Sequence, residues 1–116
     1  MIRVQSEQAV TINSNMRGGD GDIRLEAFLS ADELYNKGRL FSRIVIGPGC
    51  SIGYHEHANE MESYVVVAGE AEYDDNGEKK FIRAGDVTLT RAGEGHAVKN
   101  NSGSDVILIA LILFKG

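Results

Sequence analysis

Residues 49–69 read GCSIGYHEHANEMESYVVVAG and contain the most informative pattern in the chain. His55 and His57 stand two positions apart within Ile52–His57, a segment that we predict to be a β-strand. Because alternate side chains of a strand point to the same face, the two imidazoles are expected to lie side by side. The valine-rich segment Glu62–Ala68 is also typical of a strand. The stretch therefore predicts two successive strands, the first with a pair of histidines on one face.

Strand and turn signals alternate closely on both sides of this stretch. The chain contains 14 glycines, which implies many tight turns and favours short strands over long helices. The predicted strands are Gln8–Asn13, Asp22–Leu29, Arg39–Ile46, Ile52–His57, Glu62–Ala68, Glu70–Tyr73, Lys80–Arg83, Val87–Thr90, His96–Asn100 and Val106–Phe114. Roughly ten short strands separated by turns are typical of an all-β sandwich or barrel.

Two connections in this pattern carry recognisable local signals. Ser30 and Glu33 have the spacing of a capping box, and Gly38 stands where a glycine ends a helix. We therefore expect one short helix, which begins at Ser30. The segment Asp75–Gly77 has the composition of a tight turn between two antiparallel strands, so it predicts a β-hairpin.

The last predicted strand, Val106–Phe114, is apolar at every position. A strand that is buried on both faces has this pattern, so we expect it inside a sheet or at a subunit interface. Its 9 residues are too few to span a bilayer as a helix.

Composition narrows the possible classes of function. The 116 residues fit a single domain, 1–116, and a hydrophobic fraction of 42% excludes a disordered chain. The net charge is −5 and no basic stripe occurs, so we expect neither a nucleic-acid partner nor a membrane partner. The single cysteine, Cys50, cannot form an internal disulfide, and Met1–Val10 contains no apolar signal core. We therefore expect a cytoplasmic protein.

The chain has three histidines, and the predicted strands can bring all of them together. His96 lies on a third strand, and the connection after His57 allows Glu62 to return on a neighbouring strand with its side chain facing the histidines. Three imidazoles and one carboxylate inside a barrel would form a site for a first-row transition metal. The alternative is that His55 and His57 lie on a solvated strand face, and that Glu62 and His96 are structural or surface residues.

The same stretch resembles the first sequence motif of the cupin family. That motif consists of glycine, five residues, His-X-His, three or four residues, glutamate, six residues and glycine. Its positions are occupied here, with the same spacing, by Gly49, His55, His57, Glu62 and Gly69.

A second stretch resembles the second cupin motif. That motif consists of glycine, five residues, Pro-X-Gly, two residues, histidine, three residues and asparagine. Gly85, Gly93, His96 and Asn100 match it, whereas Arg91 replaces the proline. This replacement loosens a turn but removes no ligand. We expect Asn100 to satisfy backbone groups of a loop.

The resemblance implies a double-stranded β-helix, the jelly-roll barrel of a small single-domain cupin. It also implies that one divalent transition metal per chain (Mn, Fe, Ni, Co or Zn) is bound by His55, His57, Glu62 and His96. Further coordination positions would then be open to water or substrate. Small cupins are often homodimers, and the N-terminal and C-terminal strands are the natural interface elements here.

The resemblance leaves the reaction open, because similar folds include oxalate decarboxylases, dioxygenases, sugar isomerases and binding proteins. One hypothesis is a metal-dependent decarboxylase, dioxygenase or isomerase acting on a small carboxylate or keto acid. The second is a non-catalytic module that binds a metal or a small molecule. The third is a structural barrel.

Few residues remain for proton transfer once every histidine is assigned to the metal. Tyr64 shares strand parity with Glu62 and is a candidate catalytic residue, although aromatic core packing is the simpler interpretation. Glu60 is a second candidate. Its spacing to Gly69 does not fit the first motif, so we place Glu60 beside a ligand or at the entrance. Arg17 is within reach of the barrel mouth, although a surface position is the simpler interpretation.

Overall fold

The computed structural model describes residues 1–116 and contains two antiparallel sheets. Its strands are β1 (Val10–Ser14), β2 (Asp22–Leu29), β3 (Gly38–Ile46), β4 (Ser51–Glu56), β5 (Glu60–Ala68), β6 (Glu70–Asp75), β7 (Glu78–Arg83), β8 (Val87–Thr90), β9 (Gly95–Lys99) and β10 (Val106–Phe114). The larger sheet has the order β1-β2-β3-β10-β5-β8 and the smaller has the order β4-β9-β6-β7. This confirms the all-β double-stranded β-helix, and each predicted strand ends within about two residues of the observed one.

The core fills the space between the two sheets. Ile44 of β3 and Leu108 of β10 face it from the larger sheet, and Ile52 of β4 and Val98 of β9 face it from the smaller sheet. The burial of these side chains follows the two-residue period of a strand, since alternate residues of β10 are buried and partly exposed. None of the helical segments has the length and apolar character that crossing a bilayer requires.

β10 lies in the middle of the larger sheet, between β3 and β5, as one of the two predicted placements requires. Burial on both faces is not observed within one chain. Val106 and Leu108 point into the core, whereas Ile107, Ile109 and Leu111 are only partly covered on the outer face of the sheet.

The segment after Ser30 forms a short series of hydrogen-bonded turns instead of the short helix expected there. The capping box is present: the Glu33 N–H donates to Ser30 Oγ (3.1 Å) and the Ser30 N–H donates to the Glu33 carboxylate (2.9 Å). Tyr35 and Asn36 then adopt positive φ angles (55° and 53°), which a right-handed helix does not allow. Gly38 consequently begins β3. The 3₁₀ hydrogen-bonding pattern occurs elsewhere, at Gln5–Glu7 and at Met16–Gly18, although Arg17 in the second segment has a left-handed backbone.

The hairpin between β6 and β7 forms as predicted. Its two loop residues, Asn76 and Gly77, both have positive φ (54° and 91°), the combination that favours a tight connection between twisted strands. Before this hairpin, the chain passes from the larger sheet to the smaller one at Gly69, where φ is 84°. A Cβ at this position would lie 2.6 Å from the carbonyl oxygen of Asp105, so only glycine allows this close approach.

Asn100 joins the end of β3 to the loop between β9 and β10 and is fully buried. Its amide Nδ2 donates to the carbonyl oxygens of Ile46 (2.9 Å) and Ser104 (2.7 Å). Its Oδ1 accepts hydrogen bonds from the backbone N–H (2.9 Å) and the hydroxyl (2.7 Å) of Ser102. The expected role in satisfying loop backbone groups is therefore confirmed.

We expect Asn100→Ala to destabilise the fold, because it leaves buried backbone groups without partners at about 1–3 kcal/mol each. Urea unfolding measures the change. Asn101→Ala is the matched control, since Asn101 is exposed and makes one long hydrogen bond to Glu72 (3.3 Å). Its effect should stay within about 0.5 kcal/mol. Equal effects of the two substitutions would contradict this account of Asn100.

Candidate metal centre

The barrel brings the four proposed ligands together at one point between the sheets. His55 lies on β4 directly opposite His96 of β9, and His57 follows at the end of β4. The left-handed residue Asn59 (φ 58°) turns the chain back so that Glu62 enters from β5 with its side chain facing the histidines. The four ligand atoms all lie within 4.8 Å of one another.

The distances between these atoms fit a single ion. Glu62 Oε1 lies 3.0 Å from His96 Nε2, 3.1 Å from His57 Nε2 and 3.9 Å from His55 Nε2. His96 Nε2 lies 3.1 Å from His57 Nε2 and 3.2 Å from His55 Nε2. Two atoms that each lie about 2.1 Å from one ion are about 3 Å apart when the bonds are at right angles.

The outer ring nitrogens explain why the Nε2 atoms face inward. His55 Nδ1 donates to the carbonyl oxygen of Gly53 (2.8 Å), and His57 Nδ1 donates to the carboxylate of Glu60 (2.7 Å). Because these acceptors carry no proton, Nδ1 holds a proton, and in the neutral imidazole Nε2 then presents a lone pair to the centre. His96 Nδ1 is held by the hydroxyls of Tyr73 (2.7 Å) and Thr90 (2.9 Å). Lone pairs that converge on one carboxylate oxygen form a site for a cation.

The electrostatics of the cluster favour the metal-binding forms of Glu62 and His96 but the protonated form of His57. Burial alone would raise the pKa of Glu62, but the hydrogen bonds that the three histidines donate to it when their Nε2 atoms are protonated lower that pKa well below its ordinary value. The carboxylate is therefore ionised. Burial lowers the pKa of His96, which favours the neutral imidazole. The hydrogen bond to Glu62 raises the pKa of His57 against the opposing effect of burial, and Glu60 adds to the increase.

A cavity of about 40 Å³ is lined by three of the four proposed ligands, His55, His57 and Glu62. Its walls include the apolar side chains of Leu40 and Ile112 and two arginines, Arg17 and Arg39. A space of this size accommodates a few atoms of the size of water, so it suits a small ligand. The sequence placed Arg17 within reach of the barrel mouth, and in the structure Arg17 lines this cavity.

Tyr64 also lines this cavity and is almost completely buried. Its ring stacks on the His96 imidazole, with centroids 5.1 Å apart and an angle of 17° between the planes. Burial raises the pKa of the Tyr64 hydroxyl well above its ordinary value, and the neighbouring Glu62 charge raises it further. Tyr64 therefore keeps its proton at neutral pH. A catalytic role for Tyr64 stays a prediction.

Glu60 lies next to the ligand cluster without joining it. Both of its oxygens bind Arg39 (2.8 Å each), and one also accepts the His57 Nδ1 proton. The Arg39 guanidinium lowers the pKa of Glu60 to about 2, against the effect of burial and with help from His57. Glu60 also lines a surface cleft with Arg91 and Lys115. The geometry matches a position beside a ligand, and a catalytic role for Glu60 stays a prediction.

Three residues that surround the cluster were not predicted from the sequence: Arg39, Tyr73 and Thr90. Thr90 lies on β8 and His96 on β9, so strand parity does not relate them. Nothing local to Arg39 or Tyr73 indicates their contacts, because Arg39 meets Glu60 21 positions away and Tyr73 meets His96 23 positions away.

Known proteins share this architecture. A family model described as the cupin domain matches residues 42–112. A protein of Thermotoga maritima called oxalate-binding protein is 42% identical over 100 residues, which cover 86% of this chain and 83% of that protein. A crystal structure from Thermotoga maritima, described as a predicted oxalate decarboxylase, superposes with a TM-score of 0.94 at 39% identity and covers 98% of this chain and 99% of that chain.

A more distant structure shares the fold alone. The cupin domain of an XRE-family transcriptional regulator from Enterobacter cloacae superposes with a TM-score of 0.68 at 23% identity, covering 79% of this chain and 96% of that chain. The family model and the Thermotoga relatives, in contrast, match most of the chain, including both stretches that contain the proposed ligands. The chain therefore belongs to the cupin family.

Proposed function

We propose that this cupin binds a small dicarboxylate of the oxalate type at one divalent transition metal, either Mn, Fe, Ni, Co or Zn. The observation that carries the proposal is the convergence of three histidine Nε2 atoms and an ionised carboxylate beside a small cavity. The ligands would be His55, His57, Glu62 and His96. The 42% identical Thermotoga maritima relative, called an oxalate-binding protein, supports the choice of ligand class.

Arg17 supplies the second recognition group for a dicarboxylate. It lines the cavity and makes no ion pair, whereas Arg39 is bound to Glu60. Its backbone is left-handed (φ 55°), and its carbonyl oxygen packs so closely on β4 that a Cβ at Gly53 would collide with it. A guanidinium binds a carboxylate with two parallel hydrogen bonds. One carboxylate of the ligand would then face the metal ligands and the other would face Arg17.

Reversible binding fits the residues around the cavity better than turnover does. A metal in this site would supply Lewis acidity to hold the oxygens of the ligand. All three histidines are assigned to that metal, Glu60 is engaged by Arg39 and His57, and Tyr64 keeps its proton. No free general base remains in the cavity wall.

The competing function is a decarboxylase, dioxygenase or isomerase, and the position of Tyr64 in the cavity wall favours it. Consumption of oxalate by the metal-loaded protein, loss of that consumption in Tyr64→Phe, and unchanged oxalate affinity in this variant would support catalysis.

In our proposal, residues 1–116 act as one cupin domain. The cytoplasmic location and the lack of nucleic-acid and membrane partners stay predictions from composition.

We also propose that the protein is a homodimer that pairs through the outer face of the larger sheet. We define this outer face by the apolar residues Ile107, Ile109, Leu111, Val65, Val67, Val87 and Leu89, with Val10 and Ile12 at the β1 edge. Its charged groups, Arg24, Glu26 and Arg43, bind one another at 3.1–3.5 Å. The face therefore offers little free charge to an unlike partner, and a second copy provides the matching apolar surface.

For the metal site, we expect about one metal ion per chain in the purified protein, measured by inductively coupled plasma mass spectrometry. His57→Ala and Glu62→Ala should each lose it, because each removes one of four ligands. Glu56→Ala is the matched control, since Glu56 is exposed on the opposite strand face. A wild-type protein that takes up no added metal at micromolar concentration would disprove the site.

For the ligand, we expect Arg17→Gln to weaken oxalate binding about 10–100-fold without loss of metal, because a charged hydrogen-bonding group contributes about 1.5–3 kcal/mol. Isothermal titration calorimetry of the metal-loaded protein measures this. Arg83→Gln on β7, away from the cavity, should have no effect. Acetate binding should be almost insensitive to Arg17→Gln, since acetate has no second carboxylate. Equal oxalate affinities of Arg17→Gln and the wild type would contradict the assignment.

For the dimer, we expect Val65→Asp to convert the protein to monomers in sedimentation velocity experiments. Val65 is exposed in the single chain, so the substitution should leave the fold intact. Phe81→Asp on β7 is the control, because Phe81 is also apolar and exposed but lies on the other sheet. A monomeric wild type, or dimers in both variants, would rule out this interface.

A further inference from the structure

The three histidines of the cluster are held in different ways at their outer nitrogens. His55 donates to a backbone carbonyl oxygen, and His96 contacts two neutral hydroxyls. His57 alone donates to a charged carboxylate, that of Glu60, at 2.7 Å. A carboxylate on the far side of an imidazole fixes the ring and makes its inner nitrogen a better electron donor. His57 is therefore placed to be the ligand most dependent on its surroundings.

The carboxylate of Glu60 is in turn held from a distant part of the chain. Arg39 Nε and Nη2 each bind one Glu60 oxygen at 2.8 Å, which is the two-pronged geometry of a strong ion pair. Arg39 belongs to β3 and Glu60 begins β5, and these strands lie on either side of β10. The ion pair thus spans the end of β10 and leaves Glu60 with a single orientation toward His57.

We infer that Arg39 and Glu60 are positioning residues, which set the ring orientation and proton location of His57 so that its Nε2 atom faces the metal site. Glu60 acts directly on the imidazole, and Arg39 acts through Glu60. This inference rests on the proposed metal-binding function but concerns residues that are not themselves ligands.

The first experiment reads the proton location on His57 without any metal. Long-range ¹H–¹⁵N NMR spectra of the metal-free protein distinguish an imidazole protonated at Nδ1 from one protonated at Nε2. We expect the Nδ1-protonated form in the wild type and a mixture of forms in Glu60→Ala, which removes the acceptor. Glu60→Gln, whose amide oxygen still accepts a hydrogen bond, should restore the wild-type form. An unchanged His57 signal in Glu60→Ala would overturn the inference, whatever metal the protein binds.

The second experiment measures the dissociation constant of Co²⁺ by competition with a chelator, together with the visible absorption spectrum of the bound ion. Loss of a partner behind a ligating histidine typically costs about 10–100-fold in metal affinity. We expect a loss in this range for Glu60→Ala with an altered spectrum, and a smaller loss for Glu60→Gln. Arg39→Gln should also weaken binding, but should add nothing in a Glu60→Ala background, because Arg39 acts through Glu60.

The chain contains a matched control for an effect on stability alone. Arg3 and Glu33 form a second two-pronged ion pair, with both contacts at 2.8 Å, and neither residue belongs to the histidine cluster. Glu33→Ala should leave Co²⁺ affinity, the Co²⁺ spectrum and the His57 signal unchanged. If the wild type binds Co²⁺ and Glu60→Ala binds it equally well, the positioning role is wrong while the proposed function stands. If the wild type binds no metal, the proposed function is wrong, and the NMR result alone decides the positioning role.

Discussion

The burial of one ionised carboxylate, Glu62, is the constraint on which the rest of this structure depends. Removing a charged carboxylate from water costs several kcal/mol unless hydrogen bonds or a cation replace the lost hydration. Here three imidazoles surround the carboxylate oxygen, two of them within 3.1 Å of it, and they supply a hydrogen bond where Nε2 is protonated or hold a cation where it is not. Those imidazoles must come from the opposite sheet, because Glu62 lies on the larger sheet and the histidines extend from the smaller one or its end. Closing the barrel and satisfying this carboxylate are therefore the same structural requirement.

The need for hydrogen-bond partners extends from the Glu62 carboxylate to the outer nitrogens of the three imidazoles. Each imidazole can face Glu62 only if its other nitrogen is satisfied, and in every case a partner is present: a backbone carbonyl, a carboxylate or a pair of hydroxyls. No buried side-chain nitrogen or oxygen atom in the structure lacks a hydrogen-bond partner. A polar network inside a low-dielectric core is stable only under this condition, since a single unsatisfied group would carry a large penalty. The orientations of the three imidazoles are thus set by the protein's own hydrogen bonds.

The sequence predicted the parts of this arrangement that depend on neighbours in the chain. Strand alternation and turn residues are local, so the ten strands were located to within about two residues, and the spacing of His55 and His57 placed both on one face. The short helix predicted at Ser30 does not form. Its capping box is present, but the left-handed backbone of Tyr35 and Asn36 prevents a helix from continuing through these residues. The ion pair of Arg39 with Glu60 was not predictable, because it joins two strands that are not adjacent and leaves no periodic signal. The family motif indicated the candidate ligands but not the residues that contact their outer nitrogens.

Charge balance in the cavity explains why the proposed function names a dicarboxylate instead of a carboxylate in general. Arg39 and Glu60 cancel each other, and Glu62 offsets part of the charge of a divalent ion. Arg17 then adds a positive charge that no side chain of the protein neutralises. With a divalent ion bound, the cavity therefore carries two uncompensated positive charges, which one doubly deprotonated dicarboxylate cancels and a monocarboxylate does not. The small volume of the cavity also favours oxalate, because oxalate is the shortest molecule that has a carboxylate at each end.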